Sequence, residues 1–216
     1  MAKKISLDER VEAKGREIAE ELRALFRARG IFAVNLIGSP GSGKTSLLEA
    51  MAGQLRERAA VIEGDLETDE DKRRIERAGL PAHQINTISA CRLDAAMVRR
   101  AVGEMALDGV RLLFIENVGN LVCPASCEVG EDVKVAVISV TEGDDKPAKY
   151  PVALRAAAAL VITKTDLLPH LRCDVERMRR DAQAVNPGLK IFRTSATTGD
   201  GVGEFVAWLD GAAGAR

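Results

Sequence analysis

The feature that most limits how this chain can fold is Gly38-Ser-Pro-Gly-Ser-Gly43-Lys44-Thr45, set between the apolar run Ile31–Ile37 and a helix-forming segment. This spacing is that of a phosphate-binding loop, which works only where a strand enters and a helix leaves. Its glycines let the backbone turn tightly, so that successive N–H groups point inward, and the following helix adds its positive N-terminal end. Gly38, Gly41, Ser42, Gly43 and the following Ser46 would cradle a triphosphate. Lys44 would reach the β- and γ-phosphates, and the Thr45 hydroxyl would ligate Mg²⁺.

The rest of the chain repeats that strand-then-helix rhythm. Ile31–Ile37, Ala60–Glu63, Arg111–Ile115, Val133–Val140, Ala158–Thr163 and Lys190–Thr194 read as strands, with a further short one over Ala82–Ile85. Ser46–Arg58, Asp69–Ala78, Leu93–Leu107, Asp174–Val185 and Val202–Leu209 read as helices. Strands apolar on both faces, alternating with helices, predict a three-layer α/β fold of the P-loop NTPase type, a mostly parallel sheet covered on both sides. Ligands then belong at the carboxyl ends of the strands. Leu7, Val11, Ile18, Leu22, Leu25 and Phe26 form an apolar stripe at helical spacing that Gly30 stops. The domain reading is therefore an amphipathic helix over 1–30 packed on a main domain over 31–210, with a frayed tail at 211–216. A partner-binding role for the first helix is the less ordinary alternative.

At 216 residues the chain suits one such domain. Lys and Arg total 31 against 32 Asp and Glu, which gives no compositional pull toward nucleic acid or an anionic membrane. The charged start Met1-Ala-Lys-Lys-Ile-Ser-Leu-Asp-Glu-Arg10 and the lack of a long apolar run predict a cytoplasmic protein without a leader or span. Four cysteines then read as reduced thiols rather than a disulfide framework.

Three clusters at strand ends bear on the nucleotide. Glu116-Asn-Val-Gly119 puts an acid near Mg²⁺ and a glycine whose N–H would meet the γ-phosphate. Thr163-Lys164-Thr165-Asp166 is a guanine-recognition motif with its first residue changed: Asp166 would accept from guanine N1–H and the exocyclic amine, while the Lys164 stem covers the ring. Thr163 is too short to make the bridge of the usual asparagine, a loss of about 1 kcal/mol in nucleotide affinity. Ser195-Ala196 matches the segment whose backbone N–H meets guanine O6. Together they favour GTP and GDP over adenine nucleotides, although an Asp or Thr after a strand also serves as a helix cap. After the second strand, Asp65 is placed to hold Mg²⁺ or its water, with Asp71 assisting; Asp69, Glu70 and Asp71 also suit a helix's first turn.

Glu116-Asn-Val-Gly-Asn-Leu-Val-Cys-Pro-Ala125 and Ser139-Val-Thr-Glu-Gly-Asp-Asp-Lys-Pro147, with Gly64-Asp65, Cys91, Leu93-Asp94-Ala95, Gly130-Glu131 and Lys149-Tyr-Pro151, closely resemble the HypB family, GTPases of nickel insertion into [NiFe] hydrogenase. The resemblance runs from the P-loop to Trp208-Leu209. It implies slow GTP hydrolysis with Lys44, Asp65, Glu116 and Gly119 in catalytic roles, a nucleotide-dependent homodimer, and partners that include a nickel-scaffold protein and a hydrogenase large subunit. It also implies Ni²⁺ or Zn²⁺ ligands at Cys91 and Cys123 near the dimer interface, and Lys146 as a contact to nucleotide across the dimer; an exposed surface lysine is the alternative for Lys146. The urease nickel GTPases share the fold, but their Cys-Pro-His motif is absent from this chain.

Arg92 stands where the family has a histidine ligand, and arginine cannot serve as a neutral nitrogen donor. Cys127, four residues after Cys123, is the residue available to replace it in a sulfur-rich site, with Arg92 lowering the neighbouring thiol pKa. Small buried apolar side chains are the alternative for these cysteines, and the expected role of Cys173. His83 and His170 sit outside any His/Cys cluster and read as structural. Two other classes fit the sequence: a regulatory GTPase switch that has lost nickel transfer, and a zinc-stabilised interaction module.

Overall fold

The computed structural model describes residues 7–65, 69–87 and 90–215, with side chains from residue 12 onward. Seven strands, β1 (Phe32–Gly38), β2 (Ala59–Asp65), β3 (Ala82–Asn86), β4 (Leu112–Glu116), β5 (Val133–Ser139), β6 (Ala159–Thr163) and β7 (Lys190–Arg193), form one sheet in the order β3-β2-β4-β1-β5-β6-β7. Every neighbouring pair is parallel. The expected mostly parallel sheet is thus parallel throughout. The chain leaves central β1 for one side of the sheet and later fills the other, so the crevice of a doubly wound sheet opens at the carboxyl ends of β1, β4 and β5.

Helices cover both faces. Helices α2 (Lys44–Leu55), α3 (Glu70–Ala78) and α8 (Val202–Gly214) pack one face through Leu48, Met51, Ile75 and Phe205 against Leu36, Val61 and Phe114. Helices α1 (Leu7–Arg29) and α4 (Ala95–Glu104) cover part of the other face, and α6 (Pro151–Ala156) and α7 (Val175–Val185) cover the rest. The expected apolar stripe of α1 is real where it is described: Ile18, Leu22 and Phe26 are buried among Ile31, Ala33 and Val98, with Leu25 partly so. Leu7 and Val11 lie outside the described side chains. At Gly130 (φ +90°) a Cβ would stand 2.5 Å from Leu22 Cβ, so this glycine lets the loop before β5 touch α1.

Two boundaries depart from the sequence reading. Helix α8 continues to Gly214, so most of the expected tail over 211–216 is helical, with Ala212 and Ala213 packed on the core. Burial of small side chains offsets the poor helix propensity of Gly211 and Gly214. Between β5 and β6 the chain forms α5 (Lys146–Lys149) and α6, each with a proline in its first turn, where the missing N–H has no partner to lose. Among the described residues no helix is long and apolar enough to cross a membrane.

Candidate functional site

The glycine loop closes as its composition requires. Gly41 and Gly43 have φ of +73° and +92°, and a Cβ on Gly38 would sit 2.5 Å from Ser42 Oγ and 2.6 Å from the Val137 carbonyl. Lys44 is nearly buried and donates to the Gly38 carbonyl at 3.2 Å. Lys44, Thr45, Ser46, Asp65, Asp71, Glu116 and Gly119 all line one cavity of about 400 Å³. The acids singled out in the sequence thus share one cavity, although they come from β2, α3 and β4.

Glu116 is 3 % exposed; its Oε1 accepts from the Thr45 hydroxyl at 2.8 Å, while its Oε2 is buried without a partner. Burial raises its pKa, against the opposing pull of Lys44. The acid the sequence reading missed is Glu63, paired in register with Glu116 across β2 and β4 and 2 % exposed. Burial first, then the neighbouring Glu116 charge, pushes the Glu63 carboxyl up to about 11, so it stays protonated and hydrogen-bonds Glu116. Its Oε2 is also unpartnered. Hard oxygen donors around orphaned carboxylate atoms, beside a hydroxyl, suit Mg²⁺. Two other residues of the lining were also missed. Arg74 donates to Glu49 (2.6 Å), Asp71 (2.8 Å) and Ser46 (3.1 Å), and Asn117 is buried at the cavity wall. Asn117 sits within the string Glu-Asn-Val-Gly that the sequence did mark, and Glu63 directly precedes the marked Gly64-Asp65; Arg74 had no local signal.

A second cavity, about 540 Å³, adjoins the first and is lined by Gly43, Ser46, Thr163, Lys164, Asp166 and Ala196. Ser195 donates its hydroxyl to Asp166 at 2.6 Å and its N–H to the Asp200 carbonyl at 3.0 Å. Ser195 therefore orients the carboxylate, a correction to its expected direct contact with a base, and Ala196 is the member of the pair lining the cavity. Lys164 adopts a left-handed backbone (φ +59°), rare for a side-chain-bearing residue, and donates to the Gly41 carbonyl at 2.7 Å. That bond lays its stem between the glycine loop and the base cavity. Thr163 donates to the Ser42 carbonyl at 2.5 Å, so the residue in the usual asparagine's place bonds the glycine loop.

The cysteines divide. Cys91, exposed in the segment before α4, neighbours Cys123, which lies in a short 3₁₀ turn (Cys123–Ser126) after β4. The Cys123 thiol beside it, chiefly, raises the Cys91 pKa; Arg92 pulls it down, as expected, but is outweighed. Cys127 does not complete the pair. Its thiol faces the Glu128 carbonyl at 3.8 Å, and burial raises its pKa. Among the described residues no three His, Cys, Asp or Glu side chains stand together as a metal site within one chain. Cys173 packs beside Met178 in the core, as filler. His83 stands near Glu104 (3.4 Å), away from both cavities. Lys146 begins α5, over the Tyr150 ring at 5.2 Å and near Glu142 at 3.8 Å, and is not part of either nucleotide cavity lining.

The family model of the CobW/HypB/UreG nucleotide-binding domain matches residues 32–193, from β1 to β7, which takes in the glycine loop, the acids of the first cavity, Thr163–Asp166 and the cysteines and leaves Ser195 and Ala196 just beyond it. The hydrogenase maturation factor HypB of Azotobacter chroococcum is 51 % identical over 98 % of this chain and 70 % of its own length. The chain belongs to the HypB family. HypB of Escherichia coli K12 is 49 % identical over 91 % of this chain and 69 % of its own. Among solved structures, HypB from Helicobacter pylori in complex with nickel superposes with a TM-score of 0.88 at 36 % identity, covering 93 % of this chain and 95 % of that one. HypB from Archaeoglobus fulgidus gives 0.86 at 38 %, covering 93 % and 99 %. A signal recognition particle protein at 19 % identity and TM-score 0.59 shares the P-loop fold. The chain thus carries the nucleotide-binding domain of the CobW/HypB/UreG family.

Proposed function

We propose that this protein hydrolyses GTP slowly and delivers nickel during [NiFe] hydrogenase maturation, as a homodimer whose grip on the ion depends on the nucleotide. The observation that carries the reading is that Leu93, two residues after Cys91, and Cys123 itself are hydrogen-bonded to Asn117 and Asn120 of the loop whose Glu116, Asn117, Val118 and Gly119 line the nucleotide cavity. The relatives' names and the nickel complex of a 36 % identical neighbour support the choice of cargo.

Guanine would sit in the larger cavity, read by Asp166 and covered by the Lys164 stem, with Ala196 N–H toward O6. Lys44 would leave the Gly38 carbonyl for the β- and γ-phosphates, and the loop amides would neutralise developing charge. Thr45, Glu116, Asp65 and Asp71 would hold Mg²⁺, which supplies charge neutralisation of the phosphate oxygens. Asp65 would orient the attacking water, and the Gly119 N–H would register the γ-phosphate. Glu63 fixes the Glu116 carboxylate by its hydrogen bond. Arg74 is tied to two carboxylates, so it does not serve as a free charge for the transition state, consistent with slow turnover. Two thiols per chain are too few for a closed metal site, and a second copy would supply the rest. A nickel-scaffold protein and a hydrogenase large subunit would be the donor and acceptor.

Nickel and zinc stoichiometry in the GDP and GTP-analogue states tests the reading, beside a Cys91→Ala, Cys123→Ala variant. The expected outcome is a metal count that changes with nucleotide and a nickel affinity that falls more than about 100-fold without both thiols, beyond what losing an outer-shell partner costs. Metal binding indifferent to nucleotide and to thiol loss overturns it.

A further inference from the structure

Each thiol of the pair is carried by a segment that a single asparagine holds to the nucleotide loop. Asn117 is 1 % exposed. Its side-chain carbonyl accepts from Leu93 N–H at 2.9 Å, two residues after Cys91, and from Val118 N–H at 3.1 Å, in the loop beside Gly119. Its amide donates to Asn35 Oδ1 (3.2 Å), and Asn35 donates to the buried Glu131 (3.2 Å). Glu131 is anchored in turn by Val129 N–H at 2.7 Å and Lys134 at 3.0 Å. The far end of this chain of bonds is therefore fixed in the sheet, while the near end joins two loops. Leu93 makes the first segment rigid: a Cβ on Gly64 would lie 2.7 Å from its Cγ, so it rests on the backbone between Glu63 and Asp65.

Asn120 does the same for the other thiol. Its Oδ1 accepts from Val122 N–H at 2.7 Å and Cys123 N–H at 3.4 Å. Its backbone forms an isolated antiparallel bridge with Gly38, whose carbonyl accepts from Lys44. Between the two asparagines, a Cβ on Gly119 would meet Pro40 Cγ at 2.9 Å, so the loop is pressed directly on the phosphate cradle. A shift of Gly38 or Gly119 when phosphate arrives would be passed to both asparagines, and through them to the segments of Cys91 and Cys123, because packed elements transmit displacement rather than absorb it.

We infer that Asn117 and Asn120 are the positioning residues that set the Cys91–Cys123 arrangement from the nucleotide loop, one asparagine per thiol segment. This deepens the proposed function and rests on it. A ligand shifts an arrangement only by its differential contact with the two states, and these side chains are the contacts through which such a difference would reach the thiols.

The test measures Ni²⁺ affinity, by the nickel–thiolate charge-transfer absorption, at saturating GDP and at a saturating non-hydrolysable GTP analogue, for the full chain, Asn117→Ala and Asn120→Ala. Saturation removes any change in nucleotide affinity from the readout. The unaltered protein is expected to show a ratio between the two states of about fivefold or more, the lower range of allosteric coupling. Each variant is expected to bring that ratio to within about twofold of one while still binding nickel. Asn120 is only partly buried, so Asn120→Ala folds even where Asn117→Ala does not. A full-sized ratio in the unaltered protein that persists in Asn120→Ala and in any folded Asn117→Ala overturns this inference alone. A ratio of one in the unaltered protein overturns the proposed function and this inference with it.

Discussion

The phosphate end and the thiol end of this molecule are built to different degrees of completion. The phosphate end is assembled within one chain: Lys44, Thr45, Glu63 and Glu116 are nearly buried and converge on one cavity from β2, β4 and α2, and Glu63 and Glu116 each hold a buried carboxylate oxygen without a partner. The thiol end offers Cys91 and Cys123 near the surface, with no third metal-ligating side chain grouped with them among the described residues. A ligand that arrives with its own phosphate oxygens needs a rigid cradle, whereas an ion that must be released needs a site that can come apart. The contrast teaches that tight packing marks the part that reads the nucleotide, and incompleteness marks the part that would hand something on.

The contrast can be broken most forcefully at Lys44. Lys44→Ala removes the cradle's charge and is expected to weaken GDP by about 2–3 kcal/mol, roughly 30- to 150-fold, by calorimetry. Nickel affinity without nucleotide should stay as it was; a parallel fall would mean the two ends are one site.

A smaller effect is expected at the base cavity. Asp166→Asn should narrow the preference for GDP over ADP by about 1–3 kcal/mol, the range for a two-point contact to a base edge, in competition binding. An unchanged preference would remove guanine reading from the Thr163–Asp166 loop.

Glu63 sharpens the comparison through pH. Its folded pKa lies far above that of an unfolded glutamate, so the folded state holds the extra proton between roughly pH 4.5 and about 11. Stability from this group is complete below the unfolded value and falls as pH rises, at up to about 1.4 kcal/mol per pH unit. Glu63→Gln cannot ionise and still donates to Glu116. Denaturant unfolding of the nucleotide-free protein should therefore show the variant gaining on the parent between pH 6 and pH 9; equal slopes with pH would disprove the neutral carboxyl.

The smallest effect belongs to Cys127, which stands apart from the thiol pair. Cys127→Ala should change nickel affinity by less than about twofold, a few tenths of a kcal/mol. A loss as large as that of Cys123→Ala would make the thiol end a three-sulfur site.

Local patterns revealed much of this molecule because they encode local geometry. Gly41 and Gly43 announce positive φ angles, the stripe Ile18-Leu22-Phe26 announces a helix face, and continuous runs such as Val135–Ile138 announce strands buried on both sides. Helices α5 and α6 escaped because each is only about a turn long, with proline at its start, and carries no periodic stripe. Ser195 stands behind the cavity wall rather than in it, since its hydroxyl turns to Asp166 and its N–H to Asp200. The site residues missed were those whose meaning depends on a distant neighbour: Glu63 matters because Glu116 lies beside it, and Arg74 because α3 stands over Ser46 and Glu49.

The residues by themselves determined that a strand–glycine loop–helix unit would hold phosphate at the carboxyl edge of a covered parallel sheet, because φ preferences, amide direction and hydrophobic period are properties of neighbours along the chain. Only the tertiary structure decided which acids share that cavity, that Cys91 meets Cys123 while Cys127 does not, and that Asn117 and Asn120 tie both thiols to the phosphate loop. Strand order and register bring those groups together, and both come from the packing of the whole sheet rather than from any one segment.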